Sequence, residues 1–87
     1  MKIEVYGYDQ CPFCLRAKQL LQEKGWDYIY YNIKTNPEYS NDLQKRLKNF
    51  GVNGSRITVP QIFINDDLIG GYTDLNSYVL QIDSGRT

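Results

Sequence analysis

Short apolar runs of two different periods divide the first half of the chain into strand-like and helix-like segments. Residues 3–6 and 26–33 are rich in β-branched and aromatic side chains, which predicts two strands. Between them, residues 15–24 carry apolar side chains at the i, i+3, i+4 spacing of an amphipathic helix, and Gly25 is a natural stop. A strand, a helix and a strand in this order predict a crossover between two parallel strands.

Two further amphipathic helices and a hairpin are predicted in the second half of the chain. Apolar residues at i, i+4, i+7 indicate one helix over residues 40–50 and another that begins after Tyr72. Short polar side chains are available as N-caps: Ser40 or Asn41 for the first helix, Thr73 or Asp74 for the second. Between these helices, the strand-like runs 61–64 and 68–70 are separated by three turn-forming residues, which predicts an antiparallel pair.

The predicted order of elements is βαβαββα, which places the chain in the α/β class. Because the hairpin can join the sheet that the two parallel strands begin, we expect a four-stranded mixed sheet with helices on both faces. A chain of 87 residues can bury one core of useful size, so we expect residues 1–87 to form a single domain.

Charge and hydropathy exclude several classes of function. Ten Lys and Arg residues balance ten Asp and Glu residues without a basic tail or stripe, which argues against nucleic acid as a partner. No apolar run reaches the length of a signal-peptide core or a membrane span, so we expect a cytoplasmic protein without a membrane partner.

The only two cysteines, in Cys11-Pro12-Phe13-Cys14, stand at the predicted corner between the first strand and the first helix. A helix N-terminus offers unpaired backbone N–H groups and a partial positive charge, and both stabilise a thiolate at the first turn. Cys14 would lie about one turn inside the helix, within reach of a disulfide with Cys11, and Pro12 suits the first helical turn. In this context the spacing is typical of a redox-active dithiol.

Zinc binding and a structural disulfide are the alternatives to redox chemistry at this pair. A structural zinc site needs four ligands, but the chain has no other Cys and no His, which argues against a metal site within one subunit. A disulfide between Cys11 and Cys14 would close a very short loop, and such loops add little stability. We therefore predict redox catalysis without a metal.

A proline before the third predicted strand has two interpretations. In Thr58-Val59-Pro60 it can simply end a loop, or it can follow a cis peptide bond. A cis bond would turn the backbone of Val59 outward, where an extended peptide could pair with it as an added strand.

The start of the last helix also has two interpretations. Gly70-Gly71-Tyr72-Thr73-Asp74 can be a strand end followed by a capped helix and nothing more. Alternatively, the N–H groups of Thr73 and Asp74 bind a carboxylate while the side chain of Asp74 holds an ammonium group. A ligand with an α-amino acid end fits such a combination of donors and acceptor.

Together these stretches resemble the glutaredoxins, most closely the small dithiol glutaredoxins of bacteria and their phages. Three motifs carry the resemblance in the order and spacing of that family: Cys11-Pro12-Phe13-Cys14, Thr58-Val59-Pro60-Gln61-Ile62-Phe63 and Ile69-Gly70-Gly71-Tyr72-Thr73-Asp74. The resemblance spans almost the whole chain. It implies a thioredoxin-like fold, a cis bond before Pro60 and glutathione-dependent thiol–disulfide exchange.

The resemblance also implies roles for the matching residues. Cys11 would be the nucleophile and Cys14 the resolving thiol. Seven residues would form the glutathione site: Phe13, Thr58, Val59, Pro60, Tyr72, Thr73 and Asp74. Glutathione would be the reducing co-substrate of a monomer, and the clients would be disulfide-containing proteins such as ribonucleotide reductase. The family usually has Tyr where this chain has Phe13 and often a basic residue where it has Tyr8. Lys18, on the same helix face as Cys11, could compensate for the second difference.

Two other functions remain open from the sequence. A thioredoxin-like reductant would draw electrons from a flavin reductase, but the intact Tyr72-Thr73-Asp74 stretch argues against it. A carrier of an iron–sulfur cluster would use Cys11 from each of two subunits with two glutathione molecules, a role that monothiol relatives favour. Pro12 and Cys14 argue against that role here.

Overall fold

The computed structural model describes residues 1–52 and 57–84, in which seven elements follow one another in the predicted order. They are β1 (Ile3–Gly7), α1 (Pro12–Glu23), β2 (Ile29–Asn32), α2 (Pro37–Asn49), β3 (Gln61–Ile64), β4 (Asp67–Gly70) and α3 (Tyr72–Ser84). The strands form one sheet in the order β2-β1-β3-β4. Strand β1 is parallel to β2 and antiparallel to β3, which is antiparallel to β4. The predicted mixed sheet and the antiparallel hairpin are confirmed.

The sheet separates two apolar clusters, because successive side chains of a strand point to opposite faces. On one face, β1 and β3 pack against α1 and α3 through eight buried residues: Ile3, Val5, Ala17, Leu21, Ile62, Ile64, Leu75 and Val79. On the other face they pack against α2 through Tyr6, Phe63, Leu43 and Leu47. Helices therefore cover both faces, as predicted, and the first turns of α1 and α3 come from the same side of the sheet.

The second helix begins earlier than the sequence predicted. It starts at Pro37 rather than Ser40, and Asn36 is the N-cap, although its side chain makes no capping hydrogen bond. From the sequence, Pro37 was interpreted as a break after the second predicted strand. A proline is also well suited to the first helical position, where its missing N–H is not needed. At the other end, Phe50 follows the helix and is 45% exposed rather than buried.

The second strand and the hairpin turn differ from prediction by a few residues. Strand β2 covers only the four residues that pair with β1, so Trp26 and Tyr28 lie in the preceding loop and pack against the core from there. The turn between β3 and β4 has two residues, Asn65 and Asp66, rather than three. Both have positive φ, 53° and 69°, which these residue types tolerate better than most.

The last helix begins at Tyr72, so Thr73 and Asp74 lie in its first turn and neither is the N-cap. The side chain of Asp74 instead reaches back, and its Oδ2 accepts the N–H of Gly71 at 3.0 Å. The predicted loop 52–57 and the predicted frayed end 84–87 fall largely outside the described residues, at 53–56 and 85–87. No helix in the described part of the chain is long and apolar enough to cross a membrane.

A buried ion pair fixes α2 to the sheet on the face opposite α1. Glu4 of β1 is 4% exposed, and its two oxygens lie 3.0 and 3.1 Å from the two terminal nitrogens of Arg46. The hydroxyl of Tyr6 accepts a hydrogen bond from Arg46 at 3.0 Å and donates one to Asp42 at 2.7 Å. Burial alone would lower the pKa of Arg46, but its hydrogen bonds to Glu4 and Tyr6 outweigh that effect and raise it.

Candidate active site

The two thiols lie at the N-terminus of α1, where the sequence predicted them. Cys11 is the N-cap residue in extended conformation, and its Sγ accepts the backbone N–H of Cys14 at 3.2 Å. The sulfur thus takes the place of the side-chain oxygen that caps most helices. The helix end, with its partial positive charge, therefore lies directly beside the Cys11 sulfur.

The structure buries both thiols more deeply than expected. From their positions before the helix and one turn inside it, Cys11 is expected to be exposed and Cys14 to be screened, but Cys11 is only 7% exposed and Cys14 is completely buried. The reason is the segment before β3, where the carbonyl oxygen of Val59 lies 3.6 Å from the Sγ of Cys11 and accepts its S–H. The predicted asymmetry survives in a weaker form, because only Cys11 keeps any contact with solvent.

The environment of Cys14 keeps it a neutral thiol. Burial raises the pKa of Cys14 to about 12, and the hydrogen bond with Cys11 adds to that effect. Cys14 also packs tightly against β1: a Cβ built on Gly7 would lie 2.6 Å from its Sγ. Both cysteines are free, so the structure represents the reduced dithiol.

The peptide bond between Val59 and Pro60 is cis, as the resemblance implied. Pro60 is buried, while Val59 is half-buried and Thr58 is exposed. The amide of Gln61 donates to the carbonyl oxygen of Thr58 at 3.0 Å and to its hydroxyl at 3.1 Å. These bonds brace the segment that presents Val59 to Cys11.

The start of α3 carries a partial positive charge on its backbone N–H groups and a negative charge on the Asp74 carboxylate. The N–H of Leu75 bonds to the carbonyl of Gly71 at 3.0 Å, so the preceding N–H groups of the first turn have no partner within the helix. The carboxylate of Asp74 lies beside them. Gly70 has a φ of +120°, and a Cβ there would collide with that carboxylate, which explains glycine at this position.

An open cleft of about 180 Å³ joins these parts. Its lining contains Gly71 and all seven residues predicted for the ligand site: Phe13, Thr58, Val59, Pro60, Tyr72, Thr73 and Asp74. The ring of Phe13, which is 51% exposed, stacks against that of Tyr72 with centroids 6.2 Å apart. The guanidinium of Arg16 lies 5.3 Å from the centroid of Phe13. One wall of the cleft is therefore aromatic, and its far end carries donors and a carboxylate.

Two neighbours of the thiols were not predicted from the sequence. Gly7 directly follows the first predicted strand, and its lack of a side chain makes room for Cys14. Tyr30 belongs to the second predicted strand, yet its ring lies close to Gly7 and 4.1 Å from the ammonium of Lys18. Strand pairing is the missing signal, because β2 reaches the thiols only through its alignment with β1. Within residues 1–52 and 57–84, no group of three or more His, Cys, Asp or Glu side chains is placed to hold a metal ion.

Comparisons with known proteins point to one family. The family model described as glutaredoxin matches residues 3–69. The chain is 42% identical over 74 residues to a probable glutaredoxin of Synechocystis, covering 85% of this chain and 62% of that protein. It is 39% identical over 83 residues to glutaredoxin 3 of Escherichia coli, covering 95% and 89%. The solved structure of reduced Escherichia coli glutaredoxin matches with a TM-score of 0.73 and 32% identity, covering 93% of this chain and 95% of that one.

Proposed function

The chain belongs to the glutaredoxin family of thiol–disulfide oxidoreductases, and on this premise we propose that it reduces protein disulfides and glutathione mixed disulfides at the expense of glutathione. The observation that carries the proposal is the cleft that runs from the cysteine motif to the first turn of α3. In this cleft a carboxylate and the N–H donors of a helix first turn lie near Val59, whose carbonyl is 3.6 Å from the Cys11 sulfur.

The proposed reaction begins at Cys11. Its thiolate attacks a disulfide of the client, forms a mixed disulfide, and releases one client sulfur as a thiolate. Cys14 then loses its proton and attacks Cys11, which closes the intramolecular disulfide and releases the second client sulfur. One glutathione opens this disulfide and remains on Cys11, and a second glutathione removes it, giving oxidised glutathione and the dithiol.

The cleft suits glutathione because that tripeptide has an α-amino acid group at its γ-glutamyl end. The free N–H groups of Tyr72, Thr73 and Asp74 are donors for its carboxylate, and the Asp74 side chain is the counter-ion for its ammonium group. Val59 completes the site. Once Cys11 is part of a mixed disulfide it has no S–H to donate, so the Val59 carbonyl is left for a backbone N–H of the ligand.

Disulfide-containing enzymes such as ribonucleotide reductase are the clients that we propose. A dithiol that acts as a reductant needs a compartment in which glutathione is kept reduced, so we place the activity in the cytoplasm. Glutathione is the only co-substrate in this scheme, which includes no metal.

The test is the reduction of hydroxyethyl disulfide with glutathione, coupled to glutathione reductase and followed by NADPH consumption. The protein should turn over in this system and Cys11→Ser should not. A parallel assay replaces glutathione and its reductase with a thioredoxin reductase. Turnover with thioredoxin reductase and none with glutathione would contradict the proposal and favour a thioredoxin-like reductant.

A further inference from the structure

A cation and an aromatic ring stand behind the buried thiol, outside the cleft. Lys18 follows Cys14 by four residues on α1 and therefore lies on the same face of the helix. Its ammonium is 4.1 Å from the ring centroid of Tyr30, within the range of a cation–π contact. The contact holds the end of a flexible side chain in a half-buried position next to the dithiol.

The ring of Tyr30 and the sulfur of Cys14 both lie close to Gly7. A Cβ built on Gly7 would lie 2.6 Å from the Sγ of Cys14 and 3.5 Å from Cε1 of Tyr30, so the absence of a side chain at Gly7 leaves room for both groups. The hydroxyl of Tyr30 is buried and has no hydrogen-bond partner in the described part of the chain. Burial, with the nearby charges of Cys14, Asp9 and Cys11, raises the pKa of Tyr30 to about 12, so the phenol stays neutral.

The residues of the cleft do not explain one requirement of the proposed reaction, the ionisation of Cys14. Cys14 must become a thiolate to attack Cys11, although burial raises the pKa of Cys14 to about 12. Lys18 and a backbone hydrogen bond from Tyr8 act in the opposite direction, while Cys11 adds to the effect of burial. Among the side chains of residues 1–52 and 57–84, Lys18 is a cation that favours the ionisation of Cys14.

We propose that Lys18, held against the ring of Tyr30, stabilises the Cys14 thiolate in the resolving step and is thereby a positioning residue for the second half of dithiol turnover. The inference rests on the proposed function, but it concerns only one step. In that step Cys14 gives its proton to water, its sulfur forms a bond with Cys11, and the Cys11–client bond breaks. The electron pair leaves with the client sulfur. Lys18 keeps its proton throughout.

The expected slowing of the resolving step follows from two opposing effects, one on the thiolate fraction of Cys14 and one on its nucleophilicity. An opposite charge nearby changes a pKa by about 1–3 units. Because Lys18 is only half-buried, we expect the loss of its charge to raise the pKa of Cys14 by about 1–2 units. Each unit lowers the thiolate fraction tenfold, but nucleophilicity rises about threefold because the Brønsted slope is ~0.4–0.5. Removal of the charge should therefore slow the resolving step about 3- to 10-fold at neutral pH.

Reaction of the reduced protein with one equivalent of dithiobis(nitrobenzoate) measures this step without glutathione. Cys11 attacks first and releases one thionitrobenzoate, and Cys14 then displaces the second, so absorbance rises in two phases. Lys18→Met, which keeps the apolar stem over Tyr30, should slow the second phase about 3- to 10-fold and leave the first unchanged. The deficit should persist from pH 7 to 10, because the pKa of Cys14 lies above this range in both proteins. Lys18→Arg should restore the second phase.

Lys48→Met is the matched control, because Lys48 is an exposed residue of α2 on the other face of the sheet. It should leave both phases unchanged. An unchanged second phase in Lys18→Met, an equal slowing of both phases, or an equal effect of Lys48→Met would overturn the proposal. None of these results would affect the glutathione assay, whose failure would instead refute the proposed function.

Discussion

Asp74 has two roles that two substitutions can separate. Its Oδ2 accepts the N–H of Gly71 at 3.0 Å, and in our proposal its charge also holds the ammonium group of glutathione. Asp74→Asn keeps an oxygen for Gly71 but removes the charge, whereas Asp74→Ala removes both.

The effect on glutathione should be similar in the two variants. A hydrogen bond to a charged group contributes about 1.5–3 kcal/mol, and because the side chain of Asp74 is exposed we expect about 1.5–2 kcal/mol. At about 1.4 kcal/mol per factor of ten, the glutathione concentration for half-maximal activity should rise about 10- to 30-fold. Maximal turnover at saturating glutathione should change little, because the thiols are untouched.

The effect on stability should differ. Both variants lose a negative charge at a helix N-terminus, which costs about 0.3–1 kcal/mol. Only Asp74→Ala also loses the hydrogen bond to Gly71, at about 1 kcal/mol, so its Tm should fall about 4–8 °C below that of Asp74→Asn.

The assay is hydroxyethyl disulfide reduction with glutathione as the varied substrate, together with thermal unfolding of each variant. Glu38→Gln is the control, because Glu38 lies in the first turn of α2 and loses a comparable charge away from the cleft. Unchanged glutathione dependence in Asp74→Asn would refute the ligand role. An effect confined to Asp74→Ala would reduce Asp74 to a structural residue of α3.

Three further predictions concern stability. Gly7→Ala should cost about 1–3 kcal/mol in urea unfolding, because the new Cβ would lie 2.6 Å from the Sγ of Cys14; a neutral substitution would contradict that packing. Arg46→Met should cost about 3 kcal/mol, because it leaves the carboxylate of Glu4 buried without its partner, and Arg46→Met combined with Glu4→Gln should recover part of the loss. Strict additivity in that cycle would argue against the ion pair. The pKa of Cys14 is raised from 9.0 to about 12, which favours the folded state below pH 9, and this contribution is lost as the pH rises toward 12. Cys14→Ala should therefore lose less stability between pH 9 and 12 than the parent protein does, as measured by urea unfolding across that range.

Local patterns in the sequence were sufficient for the elements but not for all of their ends. Leu43 and Leu47 gave the correct face of α2, because burial follows the helical period. The start of that helix was misplaced, because Pro37 can either end one element or begin the next, and only the chain before it decides which. Strand β2 was predicted too long for a related reason. Trp26 and Tyr28 are apolar because they pack against the core from the preceding loop, not because they belong to the sheet.

The residues that line the cleft were predicted more completely than the surroundings of the thiols. Its residues come from short motifs whose local conformation depends on neighbours in the chain, as in the segment before Pro60 and the turn at Gly70. The burial of Cys11 depends instead on Val59, which is 48 residues away in the chain. The contact of Lys18 with Tyr30 likewise depends on how α1 packs over β2, which helical periodicity cannot specify. Long-range packing of this kind has no signature in a single sequence.

In the proposed reaction Cys11 is the nucleophile, Cys14 resolves the mixed disulfide, and glutathione supplies the electrons. The most direct test assays Cys11→Ser and Cys14→Ser on two substrates, a glutathionylated peptide and a protein with one intramolecular disulfide, both with glutathione and glutathione reductase. Cys11→Ser should be inactive on both. Cys14→Ser should still remove glutathione from the peptide, because a second glutathione can release Cys11, but should reduce the protein disulfide far more slowly. Activity of Cys11→Ser on either substrate, or equal losses on both in Cys14→Ser, would contradict the account.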